Sequence, residues 1–116
     1  MAQLKMYISG KITGLPISEA KAKFREAEIM LRKIGVNPVN PFTVCEEIES
    51  PGTTWAEYMV KDIEALLDCE AIFMLKNWGE SKGARVEYAI AQSLGLKIWH
   101  EYEMINAQNT QTIWKS

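Results

Sequence analysis

Metal and redox chemistry have little to draw on in this chain. It holds one histidine, His100, and two cysteines, Cys45 and Cys69. Their spacing matches no metal site and no redox motif. Free thiols in a reducing compartment are the simplest reading of the cysteines, with a structural pair as the alternative. His100 follows the last expected strand and reads as structural or exposed. No metal and no cofactor are expected. No apolar run approaches the length that spans a bilayer. The N-terminus lacks a charged stretch followed by an apolar one, so a cytoplasmic protein without membrane contact is expected. Neither charge sign dominates: the net charge is −2, and Lys and Arg are interspersed with acids. A nucleic-acid polymer needs a basic stripe, which is missing, although a single nucleotide is not excluded. There is no Gly-x-x-x-x-Gly-Lys-Ser/Thr phosphate loop and no readable Ser-His-Asp arrangement.

What is present suffices for a core. Apolar residues make up 47% of 116 residues, which fits one domain and excludes disorder. Four tryptophans are many for this length; some can line a pocket for a planar ring, though most tryptophans pack. Leu4 to Ser9 reads as a first strand, broken by Gly10-Lys-Ile-Thr-Gly14-Leu-Pro16. Ser18 is the expected N-cap of a helix carrying Ala20, Phe24, Ala27, Leu31 and Ile34 at helical spacing, with Gly35 at its end. Val36 to Val39 is a short strand stopped by Asn40-Pro41, and a loop of about a dozen residues follows, long enough to suspect a function. Glu46, Glu47 and Glu49 in it read as a solvated face. Thr54-Trp-Ala-Glu57 is a capping box. The helix it opens places Trp55, Met59, Ile63, Leu66 and Leu67 on one face. A strand at Glu70 to Leu75, a helix over Gly83 to Leu94 and a strand at Leu96 to Trp99 complete the pattern. The order βαβαβαβ predicts a three-layer α/β/α sandwich on a mostly parallel sheet of four to five strands. The segment 101–116, with Ile113-Trp114, reads as an edge strand, a short helix or a subunit contact.

The most informative stretch is Ser81-Lys-Gly-Ala-Arg-Val-Glu87. It follows the apolar strand Ala71-Ile-Phe-Met-Leu75. The helix it opens turns Gly83, Glu87, Ile90, Ala91 and Leu94 inward, so a carboxylate shares a face with the core. That is costly unless the group is paired or used. A carboxylate near a helix N-terminus, at the carboxyl edge of a sheet, sits where open α/β sheets bind ligands. It suits a nucleophile or general base; acids are also common in first helical turns for electrostatic reasons alone. Two further pieces reach that edge. One is the loop after the first strand, with Tyr7 at the strand end and Gly10, Lys11, Ile12 and Gly14 beyond. The other is Asp62 in the middle helix, on a line with Tyr58. Asn77-Trp-Gly-Glu-Ser81 suggests a mobile loop in which Trp78 either stacks on a base or covers the core edge.

Tyr7-Ile-Ser-Gly10-Lys-Ile12-Thr-Gly14, Asp62-Ile-Glu-Ala-Leu, Ala71-Ile-Phe-Met-Leu75 and Ser81-Lys-Gly83-Ala-Arg-Val-Glu87, in that order, resemble the nucleoside 2-deoxyribosyltransferase superfamily. The likeness is to its short DUF4406-type members and to the 2′-deoxynucleoside 5′-monophosphate N-glycosidases. It covers roughly residues 4 to 100 and treats residues 1–116 as a single such domain. The resemblance implies a flavodoxin-like sheet and cleavage or transfer of an N-glycosidic bond in a small-molecule deoxynucleoside or deoxynucleotide. It implies Glu87 as nucleophile, Tyr7 as the group that positions it, and Asp62 as the aid to the departing base. Ser81 matches a phosphate-contacting serine, while Gly10, Ile12 and Gly83 match pocket-lining positions. The monophosphate hydrolases carry an arginine where this chain has Thr13, with Lys11 a conceivable substitute. A homo-oligomer is expected, since relatives complete their pockets across an interface. A nucleotide-binding sensor without turnover and a structural protein are the competing readings.

Overall fold

The computed structural model of the chain describes residues 3–104. Four strands, β1 (Lys5–Ser9), β2 (Asn37–Val39), β3 (Ala71–Met74) and β4 (Lys97–His100), form one sheet in the order β2-β1-β3-β4. Every pairing is parallel, with Tyr7 opposite both Val39 and Ile72, and Ser9 opposite Met74. β1 and β3 are central and buried almost throughout. This is why they read as continuous apolar runs rather than alternating ones. Four α-helices connect the strands: α1 (Ile17–Lys33), the single turn α2 (Pro41–Val44), α3 (Trp55–Leu67) and α4 (Lys82–Ser93).

Two apolar layers sandwich the sheet. On one face Met6, Ile8, Ala71 and Phe73 pack against Phe24, Ala27 and Leu31 of α1. On the other, Tyr7, Ile72 and Met74 pack against Leu66 of α3 and Ala84 and Ala91 of α4. Burying side chains such as Phe24 and Leu31 contributes about 2 to 3 kcal/mol each. The result is the expected three-layer sandwich with a flavodoxin-like strand order. The strand order reverses between β1 and β3, with β2 added on one side of β1 and β3 and β4 on the other, and such switch points open a crevice at the carboxyl edge.

Several local expectations shift. The N-cap of α1 is Pro16, not Ser18, and it makes no side-chain capping bond. Its carbonyl accepts from Glu19 and Ala20 at 3.0 Å each, and its fixed φ pre-sets the turn into the helix. Gly35 has φ +90° and closes α1 as expected. The Thr54–Glu57 capping box forms in both directions, yet Trp55 and Leu67 of α3 are exposed, and Met59, Asp62 and Leu66 are the buried residues. The helix is rolled so that Asp62 faces inward. Leu94 and Ile34, expected on apolar faces, are also exposed; both are the C-cap residues of their helices. The long loop after β2 is ordered by Asn40, whose Oδ1 accepts from the Phe42 amide at 3.0 Å, and by a 3₁₀ turn at Glu46–Ile48. Residues 101–104 are helical; Ile113 and Trp114 lie outside the described residues. No helix among the described residues is long and apolar enough to cross a membrane.

Gly10, at the exit of β1, is held by packing. A Cβ there would lie 2.9 Å from Leu75 Cβ and 2.6 Å from Leu75 Cδ1. Leu75 does not yield easily, because its amide is bonded to the Ser9 carbonyl at 2.8 Å. Gly10→Ala is expected to cost about 1 to 3 kcal/mol through overpacking, read as a fall in denaturant midpoint at unchanged slope.

Candidate active site

The carboxyl end of β1 and the loop after it, the α1 and α2 segments and the facing helices α3 and α4 line one cavity of about 810 Å³. That lies within the range of small-molecule sites. Tyr7 and Ser9 stand two residues apart on β1 and project to the same side. Opposite them, Glu87 lies on the second turn of α4. The Tyr7 hydroxyl donates to Glu87 Oε2 at 2.9 Å, and the Ser9 hydroxyl donates to Glu87 Oε1 at 2.6 Å. Glu87 is 5% exposed and Asp62 8%. Each Glu87 oxygen therefore has one fixed donor, and lone pairs remain on both.

Burial governs the electrostatics. It pushes the Glu87 carboxyl up to about 7; the Ser9 hydroxyl pulls it back, the charge of Asp62 pushes it further up, and the Tyr7 hydroxyl pulls it down. Asp62 is raised by burial to about 6, against the pull of the Cys45 thiol and, more weakly, the Tyr7 phenol. Burial and then the charge of Glu87 hold the Tyr7 phenol well above its ordinary range, so it remains a donor. The charge of Asp62 reaches Glu87, so ionisation of one carboxyl holds the proton on the other.

Of the residues singled out from sequence, Tyr7, Asp62, Glu87, Gly10, Ile12, Ser81 and Gly83 all line this cavity. Ser81 is also the N-cap of α4, its hydroxyl accepting from the Ala84 amide at 3.1 Å. At Gly83 a Cβ would approach Met59 Sδ to 3.1 Å, so the glycine lets α4 and α3 close on each other.

Lys11, Gly14 and Trp78 stand elsewhere. The Lys11 ammonium pairs with Glu80 at 3.2 Å and its amide donates to Asn77 Oδ1 at 3.0 Å, which ties the β1 and β3 loops together. Gly14, with φ +92°, makes the turn before α1. Trp78 begins a 3₁₀ turn and stacks on Tyr88, centroids 4.6 Å apart. Of the two readings of Trp78, covering the core edge is the one its packing matches. Cys45 and Cys69 are both free and buried. Among the described residues no three His, Cys, Asp or Glu side chains gather as metal ligands.

Ser9 escaped the sequence reading although the signal was there: it is two residues from Tyr7 on one strand and so shares its face. Cys45, whose thiol donates to Asp62 Oδ1 at 3.2 Å, gave no local signal, because the contact depends on how the α2 segment folds back. Ser9→Ala removes a donor that favours the Glu87 anion, so the Glu87 midpoint is expected to rise above about 7, by about one pH unit. Carbon-13 NMR titration of labelled glutamate checks this.

The described architecture has solved counterparts. A 2-desoxiribosyltransferase from Leishmania mexicana superposes with a TM-score of 0.63 at 20% identity, over 84% of this chain and 63% of that one. This chain thus spans less than two thirds of that enzyme's length. A conserved protein from Enterococcus faecalis V583 superposes with a TM-score of 0.63 at 16% identity, over 93% of this chain and 76% of that one. No curated protein matches the sequence. Residues 4–100 match the family described as Domain of unknown function (DUF4406), a span from β1 to the end of β4, and the chain belongs to that family, on a fold shared with a 2-deoxyribosyltransferase.

Proposed function

We propose that the protein cleaves or transfers the N-glycosidic bond of a 2′-deoxynucleoside or its 5′-monophosphate, with Glu87 as nucleophile. The observation that carries this is the buried Glu87 carboxylate, fixed by the Tyr7 and Ser9 hydroxyls and sharing its cavity with the protonatable Asp62. The likeness to a 2-desoxiribosyltransferase supports it at the level of the fold.

The chemistry follows from the two carboxyls. An oxygen of Glu87 bonds to the anomeric carbon as the C–N bond breaks. The bonding pair leaves on the base nitrogen, which takes the proton from Asp62. Positive charge developing on the sugar is offset by the Glu87 anion a bond length away. Water, or the nitrogen of a second base, then attacks the same carbon; Glu87 leaves and Asp62 recovers the proton. Phe42, Trp55 and Tyr58 line the cavity and give it aromatic surface suited to a planar base. A 5′-phosphate would meet Ser81 and the first turn of α4, where Lys82 and Arg85 also line the cavity. These two residues supply the cations that Thr13 lacks, whereas Lys11 is committed to Glu80.

The reactive distribution has the charge on Glu87 and the proton on Asp62. Burial draws the proton toward Glu87. The cationic sugar of the transition state reverses that preference. Below about 6 both carboxyls are protonated and attack fails; above about 7 both are ionised and the base leaves unassisted. A bell-shaped profile of kcat/KM centred between those values is expected. The function itself is tested by incubation with a panel of deoxynucleosides and their 5′-monophosphates, with and without an acceptor base, following free base chromatographically. Binding without release of base from any of them would leave a sensor.

A further inference from the structure

Cys45 is 7% exposed and lines the same cavity. Its backbone is fixed on both sides: its amide donates to the Pro41 carbonyl at 3.0 Å, and its carbonyl accepts from the Ile48 amide at 3.1 Å. Its thiol donates to Asp62 Oδ1 at 3.2 Å; the Tyr7 phenol, whose bond goes to Glu87, pulls on Asp62 more weakly. Burial and the neighbouring Asp62 push the thiol up to about 12. It therefore stays an S–H throughout the working range and is neither nucleophile nor redox centre.

An acid for a departing base must be held in place and must also keep its proton. These demands conflict, because a strong donor that fixes a carboxylate also favours its anion. A thiol is a weak donor with a long reach. We propose that Cys45 is a positioning residue for the leaving-group step, its thiol fixing one oxygen of Asp62 while leaving the carboxyl able to carry the proton to the base. The inference rests on the reading of Asp62 as the acid. The other charged or titratable groups around the contact are accounted for. Tyr7 and Glu87 face it from β1 and α4, and Tyr58 lines the cavity one turn earlier on α3. Lys61, which favours the thiolate, is paired with Glu47 at 2.8 Å. Glu49 lines the cavity from just after the 3₁₀ turn Glu46–Ile48.

Cys45→Ser and Cys45→Ala are compared by carbon-13 NMR titration of labelled aspartate and by the pH profile of base release. Serine is a stronger donor, so Cys45→Ser is expected to lower the Asp62 midpoint by about one pH unit and to carry down with it the acid limb of kcat/KM, which lies at the Asp62 value of about 6. Cys45→Ala removes the donor, so the midpoint is expected to rise; kcat should fall about tenfold with KM little changed, because the acid is no longer held. Opposite shifts in the two variants support the role. A side chain that merely fills space would leave Asp62 unmoved in both, and equal shifts in both would equally overturn the proposal. If the wild type releases base and neither variant moves the limb, Cys45 alone loses its role. If the wild type releases base from no deoxynucleoside or deoxynucleotide, the acid assignment falls and the catalytic role of Cys45 falls with it, whatever the titration shows.

Discussion

Glu87→Gln is expected to abolish nearly all base release while the cavity still binds its ligand. The amide occupies nearly the same volume, and the Tyr7 and Ser9 hydroxyls that now donate to the carboxylate are able to turn and accept from it. What disappears is the charge. The amide neither attacks the anomeric carbon nor offsets its positive charge, and the loss is on the order of a thousandfold or more in kcat. Ligand affinity should stay within about tenfold, since the charge that Glu87 meets is absent from the ground state. The same variant should be more stable. Burial raises the folded-state pKa of Glu87 from 4.5 to about 7, so the folded chain holds the proton more tightly than the unfolded one. The wild type is therefore most favoured below pH 4.5 and loses that contribution as pH rises through about 7. A shift of this size corresponds to about 3 kcal/mol, reduced by any poorer hydrogen bonding of the amide. The variant should melt several degrees above wild type near pH 8, with the difference vanishing near pH 4. Single-turnover base release, ligand titration and thermal melts at the two pH values check this. Wild-type turnover in the variant would end the nucleophile assignment.

Asp62→Asn is expected to slow base release by about a hundredfold, within the range of lost general-acid assistance. The size of the loss should depend on the leaving group. A base that departs readily as an anion needs no proton, and its release should be nearly unaffected, whereas a poor leaving group should feel the full loss. The pH profile should change on both limbs. The alkaline limb disappears, because no proton remains to be lost from residue 62. The remaining acid limb reports Glu87 alone, whose midpoint is expected to fall below about 7 because the Asp62 charge is one of the causes holding it up. Rates for two substrates of different leaving-group pKa, measured across pH, separate this from a structural defect, which would slow both alike. An equal loss for both substrates would remove the acid role from Asp62.

Much of this site was legible because it is written locally. Glu87 stood out as a carboxylate on an apolar helical face, and it is indeed buried between Tyr7 and Ser9. Gly10 and Gly83 were read as pocket-lining positions; both line the cavity, and added Cβ atoms there would crowd Leu75 and Met59. Trp78 was legible only as an alternative. An aromatic residue between strand and helix either meets a ligand or covers the core, and only the position of Tyr88 decides it. Lys11 was ambiguous for the same reason: its partner Glu80 is distant in sequence. Tyr58 and Trp55 gain their place at the cavity from the roll of α3, which periodicity does not fix, because the helix buries a carboxylate where an apolar stripe would have placed Ile63 or Leu67.

The sequence by itself determined the alternation of strands and helices, the parallel sheet and the helix ends at Thr54, Ser81 and Gly35. Each of these depends on neighbours within a turn or two: apolar periodicity, a capping side chain, or a glycine that accepts positive φ. Tertiary structure decided what surrounds the two carboxyls. Ser9 reaches Glu87 across 78 positions and Cys45 reaches Asp62 across 17. Those contacts exist only once β1 lies beside β3 and the α2 segment folds back over the sheet edge. The protonation of Asp62 and Glu87 follows from that closure, since exclusion from water, not residue type, raises both.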